Sequence, residues 1–208
     1  MSYNTWIHKF SRKLVQPLVD TAVTPNHLTT GRLVFGLIAA VCFAVGDSSW
    51  NLIGALSFVI SMVLDRADGE LARLSGKSSR FGAIYDLVTD AICNAALFIG
   101  LGIAAMQGDL ANWGLAMGVI AGISVSLIFY FVIQVAADVD ASAASFNSFA
   151  GFDPDDAMII VPIGVAFGYG QLLLTLAAVI TPFVAIFICN DMVKRRKSGL
   201  DKDTDGSG

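Results

Sequence analysis

Residues 50–72 read WNLIGALSFVISMVLDRADGELA, uncharged from Trp50 to Leu64 and then carrying Asp65, Arg66, Asp68 and Glu70 in quick succession. About 20 apolar residues in an α-helix cross the roughly 30 Å hydrocarbon layer at about 1.5 Å per residue, so the run reads as a membrane-spanning helix. Asp65 then lies about 15 residues, or roughly 22 Å, from the outer end at Trp50, which leaves it inside the membrane below the cytoplasmic interface. An ionisable side chain at that depth is costly and marks a functional site by default.

The rest of the chain has the same character. Its 208 residues are 55% hydrophobic and 14% charged, with a mean hydropathy of +0.70, which excludes a water-soluble globule. The predicted fold class is all-α: a polytopic membrane protein with six transmembrane helices at about 28–46, 50–72, 81–105, 112–135, 157–170 and 172–190. An amphipathic interfacial helix over 1–23 precedes the 28–190 bundle, with Trp6, Phe10, Leu14 and Leu18 at near-helical spacing and Lys9, Arg12 and Lys13 on other faces. These parts form one domain over 1–197, followed by a polar tail over 198–208 that is expected to be disordered. Pro182 is expected to kink or divide the last span.

Six crossings put the N-terminus, the 73–80 and 136–156 loops and the C-terminus on one side. All thirteen Lys and Arg residues fall on or near that side, which the positive-inside rule makes cytoplasmic. The expected location is therefore an integral membrane protein with its site facing the cytoplasm, in a prokaryotic cytoplasmic membrane, without a cleavable leader. Cys42, Cys93 and Cys189 lie in apolar runs without partners at metal-ligand spacing and read as packing residues. Gly114, Gly118 and Gly122 repeat every four residues and admit a close helix neighbour, from the same chain or from a second copy.

The third predicted span carries two more carboxylates, Asp86 and Asp90. Folding the second and third spans as an antiparallel hairpin about Lys77 sets Asp68 opposite Asp86 and Asp65 opposite Asp90. Spacings of i+3 and i+4 keep each pair on one helix face, so all four side chains converge. Four carboxylates at low dielectric must protonate or bind cations, and hard oxygen donors select Mg²⁺, Mn²⁺ or Ca²⁺. A hydrogen-bonded neutral cluster, or the proton or ion path of a transporter, satisfies the same spacing.

The neighbours of these aspartates narrow the choice. Asp65-x2-Asp68-Gly69-x2-Ala72-Arg73-x8-Gly82-x3-Asp86-x3-Asp90 resembles, at every fixed position, the signature of the CDP-alcohol phosphotransferase (CDP-alcohol phosphatidyltransferase) family. Eight fixed residues at roughly 6% usage each make a chance match on the order of 10⁻¹⁰ per starting position. The resemblance implies a transferase of phospholipid biosynthesis that moves a phosphoalcohol group from a CDP-linked donor to an alcohol hydroxyl and releases CMP; the signature does not separate the donors, and a phosphatidyl group from CDP-diacylglycerol is the expected one. It implies two divalent ions, Mg²⁺ or Mn²⁺, on Asp65, Asp68, Asp86 and Asp90, with Asp86 and Asp90 catalytic and Asp90 the general base. Gly69, Ala72 and Gly82 would leave room for the nucleotide, and Arg73 would meet the diphosphate. Asn26 and Thr29, at the start of the first span, are candidate nucleotide contacts or simply a helix cap.

Arg32, Lys77 and Arg80 are candidate phosphate or acceptor contacts, or anchors at the membrane interface. The expected partners are the CDP-linked lipid donor, the alcohol acceptor, the bilayer and a second copy of the chain in a homodimer, with no nucleic acid. The run from Phe81 to Val193 has no Lys or Arg and holds Asp138, Asp140, Asp153, Asp155 and Asp156, which favours a neutral, zwitterionic or cationic acceptor. Transfer from a CDP-amino-alcohol to diacylglycerol is the alternative within the family. A transporter would explain intramembrane carboxylates without bond chemistry, but these acidic residues stop near one membrane face. A prenyltransferase lacks the Gly-x2-Ala-Arg segment.

Overall fold

The computed structural model describes residues 15–108, 110–111, 113–138 and 158–205, and no strand occurs among them. Among the described residues six α-helices follow one another: α1 (Pro25–Val45), α2 (Ser48–Ser75), α3 (Arg80–Ala105), α4 (Gly114–Asp138), α5 (Ile160–Ala166) and α6 (Gly170–Asp205). Local chemistry sets the boundaries of the first three. Pro25 opens α1 at a position where its missing N–H costs nothing, and the Thr24 N–H donates to His27 Nδ1 at 3.2 Å. Asp47 caps α2 by accepting from the Ser49 N–H, and Ser79 caps α3 by accepting from the Gly82 N–H at 2.9 Å. Gly76 ends α2 at φ 65°, a left-handed conformation that penalises any residue with a Cβ.

Among the described residues five helices are long and apolar enough to cross a membrane: α1, α2, α3, 114–132 of α4 and 170–193 of α6. The crossing expected at 157–170 corresponds to α5, whose seven residues span only about 10 Å. The residues before it, 139–157, lie outside the described part, as does nearly all of the acidic 136–156 loop. The last helix runs unbroken through Pro182 and on to Asp205, so helix also occupies 198–205, where a disordered tail was expected. Adding a residue to an existing helix fixes one residue per hydrogen bond and needs no new nucleus.

Residues 1–14 lie outside the described part, and from Val15 the predicted interfacial helix does not continue to residue 23. Pro17 instead shapes a short 3-10 turn over Gln16–Leu18. Val15, fully buried, packs with Ala67 and Leu71 of α2, and Leu18, Val19, Val23 and Leu28 cover this small cluster. The main core is built from Ala39 and Phe43 of α1, Phe58 of α2, Leu97, Phe98 and Leu101 of α3, Ala121 and Val125 of α4, and Leu174 of α6. Exposed Leu37, Val41, Val179, Phe183 and Phe187 face outward, as suits helices solvated by lipid rather than water.

The arrangement differs from a simple hairpin. α1 packs along both α2 and α3, whereas α2 and α3 touch each other only slightly. α1 thus acts as a wedge that holds the two aspartate-bearing helices apart at the ends that carry the aspartates. The glycines of α4 meet α3 of the same chain: a Cβ on Gly118 would sit 2.5 Å from the Phe98 carbonyl oxygen, and one on Gly114 2.6 Å from that of Gly102. The stripe is therefore filled within one chain.

Candidate active site

Thr29 and Arg32 lie three residues apart on one face of α1, which the wedge position turns toward both neighbours. Thr29 Oγ1 donates to Asp68 Oδ2 at 2.7 Å, and both residues are buried. Arg32 Nη1 reaches Asp65 Oδ1 at 2.5 Å and Asp86 Oδ1 at 2.9 Å, while Nη2 pairs with Asp90. Ser61 Oγ donates to the Arg32 carbonyl oxygen at 2.9 Å and ties α1 to α2 at this level. A buried arginine is tolerable only because its donors are met by carboxylates, which in turn lose much of their mutual repulsion.

Asp65, Asp68 and Asp86 each offer an oxygen within 4.8 Å of the others. Three hard oxygen donors this close fit a divalent ion such as Mg²⁺ or Mn²⁺. Asp90 stands outside that trio and joins it through Arg32. Asp68 and Asp86 approach each other as the hairpin register predicts, whereas Asp65 and Asp90 are joined through the guanidinium that α1 inserts between them.

Next to the carboxylates is a cleft lined by Pro25, Asn26, Thr29, Asp68, Gly69, Ala72, Lys77, Ser78, Ser79, Gly82, Ala83 and Asp86. Small residues keep it open. A Cβ on Gly82 would press on Asn26 Oδ1 and Ser79 Oγ at 3.1 Å, whereas at Gly69 only Arg73 Nη2, 4.0 Å away, comes near. Lys77 lines the cleft while its Nζ donates to the Thr21 carbonyl oxygen at 3.3 Å.

Most residues singled out in the sequence therefore converge: four aspartates, Asn26, Thr29, Gly69, Ala72, Gly82 and Lys77. Arg73 does not line the cleft and pairs instead with Glu70 at 3.1 Å. Arg80, at the start of α3, is exposed and also outside the lining. Arg32 departs furthest from expectation, since it neither anchors at the interface nor faces the cleft. Its signal was available: an arginine eight residues into an apolar span needs a carboxylate partner. Ser78 and Ser79 were not foreseen, because serines in a turn usually reflect only the turn.

A membrane-embedded helical bundle with hard-ligand carboxylates beside a cleft of small residues is the framework of an intramembrane enzyme. A family model described as CDP-alcohol phosphatidyltransferase matches residues 22–189. The chain belongs to that family and is a CDP-alcohol phosphotransferase, a membrane transferase of phospholipid synthesis. Among its relatives, phosphatidylinositol phosphate synthase of Mycobacteroides abscessus is 27% identical over 163 residues, 78% of this chain and 70% of the relative. Archaetidylinositol phosphate synthase of Pyrococcus horikoshii is 28% identical over 114 residues, 51% of this chain and 57% of the relative. The fold is similar to that of Mycobacterium tuberculosis phosphatidylinositol phosphate synthase, solved with CDP-DAG bound, with a TM-score of 0.62 at 22% identity over 86% of this chain and 93% of that one. A second structure of that protein contains manganese and citrate and matches with a TM-score of 0.62 at 22% identity over 86% of this chain and 88% of that one.

Proposed function

We propose that this enzyme transfers a phosphatidyl group from CDP-diacylglycerol to the hydroxyl of a small polar alcohol and releases CMP. The observation that carries the reading is the approach of Asp65, Asp68 and Asp86 to within 4.8 Å beside a cleft kept open by Gly69, Ala72 and Gly82. The solved relative with CDP-DAG bound and its form with manganese supply the donor and the cofactor by analogy.

In this scheme the cleft takes the cytidine nucleotide. Asn26 and the serines at 78 and 79 offer hydrogen bonds, and Gly69, Ala72 and Gly82 let the ligand approach the helix backbones. Asp65, Asp68 and Asp86 hold the divalent metal, with Asp90 completing a site for two ions. The bound metal supplies charge neutralisation at the diphosphate and lowers the cost of CMP departure. Thr29 fixes the orientation of Asp68. Arg73 exchanges Glu70 for a phosphate oxygen when donor binds, since a planar guanidinium suits either oxyanion. The acceptor oxygen forms a bond to the β-phosphorus as the bond from that phosphorus to the CMP oxygen breaks, and the hydroxyl proton passes to Asp90.

The cleft lies at the membrane face that carries Arg73, Lys77 and Arg80, which the positive-inside rule makes cytoplasmic. A prokaryotic cytoplasmic membrane fits that orientation. The working unit is a homodimer whose interface lies away from the α4 glycines, because α3 fills them; the mass of the detergent-solubilised protein tests this.

The assay supplies membranes containing the protein with CDP-diacylglycerol, Mn²⁺ or Mg²⁺, and a panel of acceptors: inositol, inositol phosphate, glycerol phosphate, serine and amino alcohols. A parallel arm offers CDP-choline with diacylglycerol. Metal-dependent CMP release with one acceptor, lost in Asp90→Asn, is the expected result. No release above that variant from any pair refutes the assignment.

A further inference from the structure

Arg32 places one guanidinium against three carboxylates contributed by two other helices, Asp65 of α2 and Asp86 and Asp90 of α3. The residue is 5% exposed and its backbone is pinned by Ser61, so it is a fixed internal ion rather than a side chain reaching for the headgroups. Asp65 and Asp86 also belong to the trio that fits a divalent ion. Such an ion binds carboxylate oxygens at about 2.0–2.6 Å, which would bring it within roughly 5 Å of Nη1. Two cations that close, in a site poorly screened by water, repel each other strongly and draw on the same oxygens.

We propose that Arg32 is the built-in counter-ion of the aspartate cluster and a competitor of the divalent ion. In the metal-free enzyme it holds Asp65, Asp86 and Asp90 together. As metal enters among Asp65, Asp68 and Asp86, the guanidinium gives up its hold on Asp65 and Asp86. Arg32 is in this sense a positioning residue: it preserves the geometry of the empty site and sets the metal concentration at which the site fills.

The proposal rests on the cluster being the metal site, and the test separates the two. Mn²⁺ is titrated into purified full-length wild type, Arg32→Lys and Arg32→Gln in detergent, with free Mn²⁺ read by its paramagnetic resonance signal. Thermal unfolding is followed in parallel with chelator and with Mn²⁺. Removing the competing charge is expected to tighten Mn²⁺ binding by at least about tenfold in Arg32→Gln. The same variant should unfold at a lower temperature than wild type in chelator and gain more from Mn²⁺. Binding that is unchanged or weaker in a folded Arg32→Gln overturns the role given to Arg32. Failure of wild type itself to bind Mn²⁺ overturns the metal assignment instead. Should Arg32→Gln not fold, Arg32→Lys decides, because lysine keeps the charge but cannot fork between carboxylates. Mn²⁺ binding at least about threefold tighter than wild type then supports the proposal, and anything less refutes it.

Discussion

The two ends of α3 meet their neighbours in opposite ways. At the N-terminal end, Asp86 and Asp90 face α2 across a gap that α1 wedges open, and the contacts are ionic and polar. Toward the other end, Ala95, Phe98 and Gly102 lie against Gly122, Gly118 and Gly114 of α4 at backbone distance. In lipid, apolar side chains gain little by leaving their surroundings, so close van der Waals packing of small residues is what joins helices. The seam thus supplies rigidity, and the gap supplies space and charge. An enzyme that binds a charged nucleotide inside a membrane needs both on one helix.

This contrast is open to direct attack. The largest effect is expected from Asp68→Asn at the polar end. It should lower turnover by about a thousandfold, since metal ligation accounts for several kcal/mol of charge stabilisation and each 1.4 kcal/mol or so is tenfold. Asparagine still accepts from Thr29, so the unfolding temperature in chelator should stay close to wild type; a large drop would mean that Asp68 is structural. Gly118→Val attacks the seam and should cost about 3 kcal/mol of stability through overpacking. Unfolding in detergent measures it, and the surviving folded enzyme should keep its metal requirement. An altered metal requirement would show that seam and site are coupled.

A smaller effect is expected from Ala72→Leu, which fills the cleft while leaving every aspartate in place. KM for the CDP-linked donor should rise about tenfold, equivalent to roughly 1.4 kcal/mol, with an unchanged unfolding temperature. The smallest is Thr29→Val, which removes the donor to Asp68 at nearly constant volume and should cost about 1 kcal/mol in stability. An additional several-fold loss of turnover would confirm that Thr29 orients Asp68, and unaltered kinetics would remove that role.

Much of this was legible in the amino-acid sequence because its causes are local. An uncharged run long enough to cross the membrane declares a span whatever surrounds it, and α1 to α4 lie where the apolar runs placed them. The i+3 and i+4 spacing of the aspartates is set by helix geometry, so each pair shares one helix face without tertiary information. Gly69, Ala72 and Gly82 carried meaning only as part of a pattern with the aspartates, and the cleft brings all three together. Glu70 is the contrary case. Nothing in its spacing from Arg73 distinguishes an i,i+3 ion pair from two independent side chains.

What the sequence determined by itself is the solvent, the helices and the identity of the charged residues, all of which follow from composition and a fixed rise per residue. Only the tertiary structure decided that α1, rather than α2 and α3 alone, builds the site, that Arg32 sits among the aspartates, and that the α4 glycines are filled by α3. The reason is physical. Which helix lies between two others depends on packing small surfaces across the whole bundle, and no interval along the chain encodes it. Once α1 occupies that position, a single buried arginine and three nearby carboxylates have no better partners than one another.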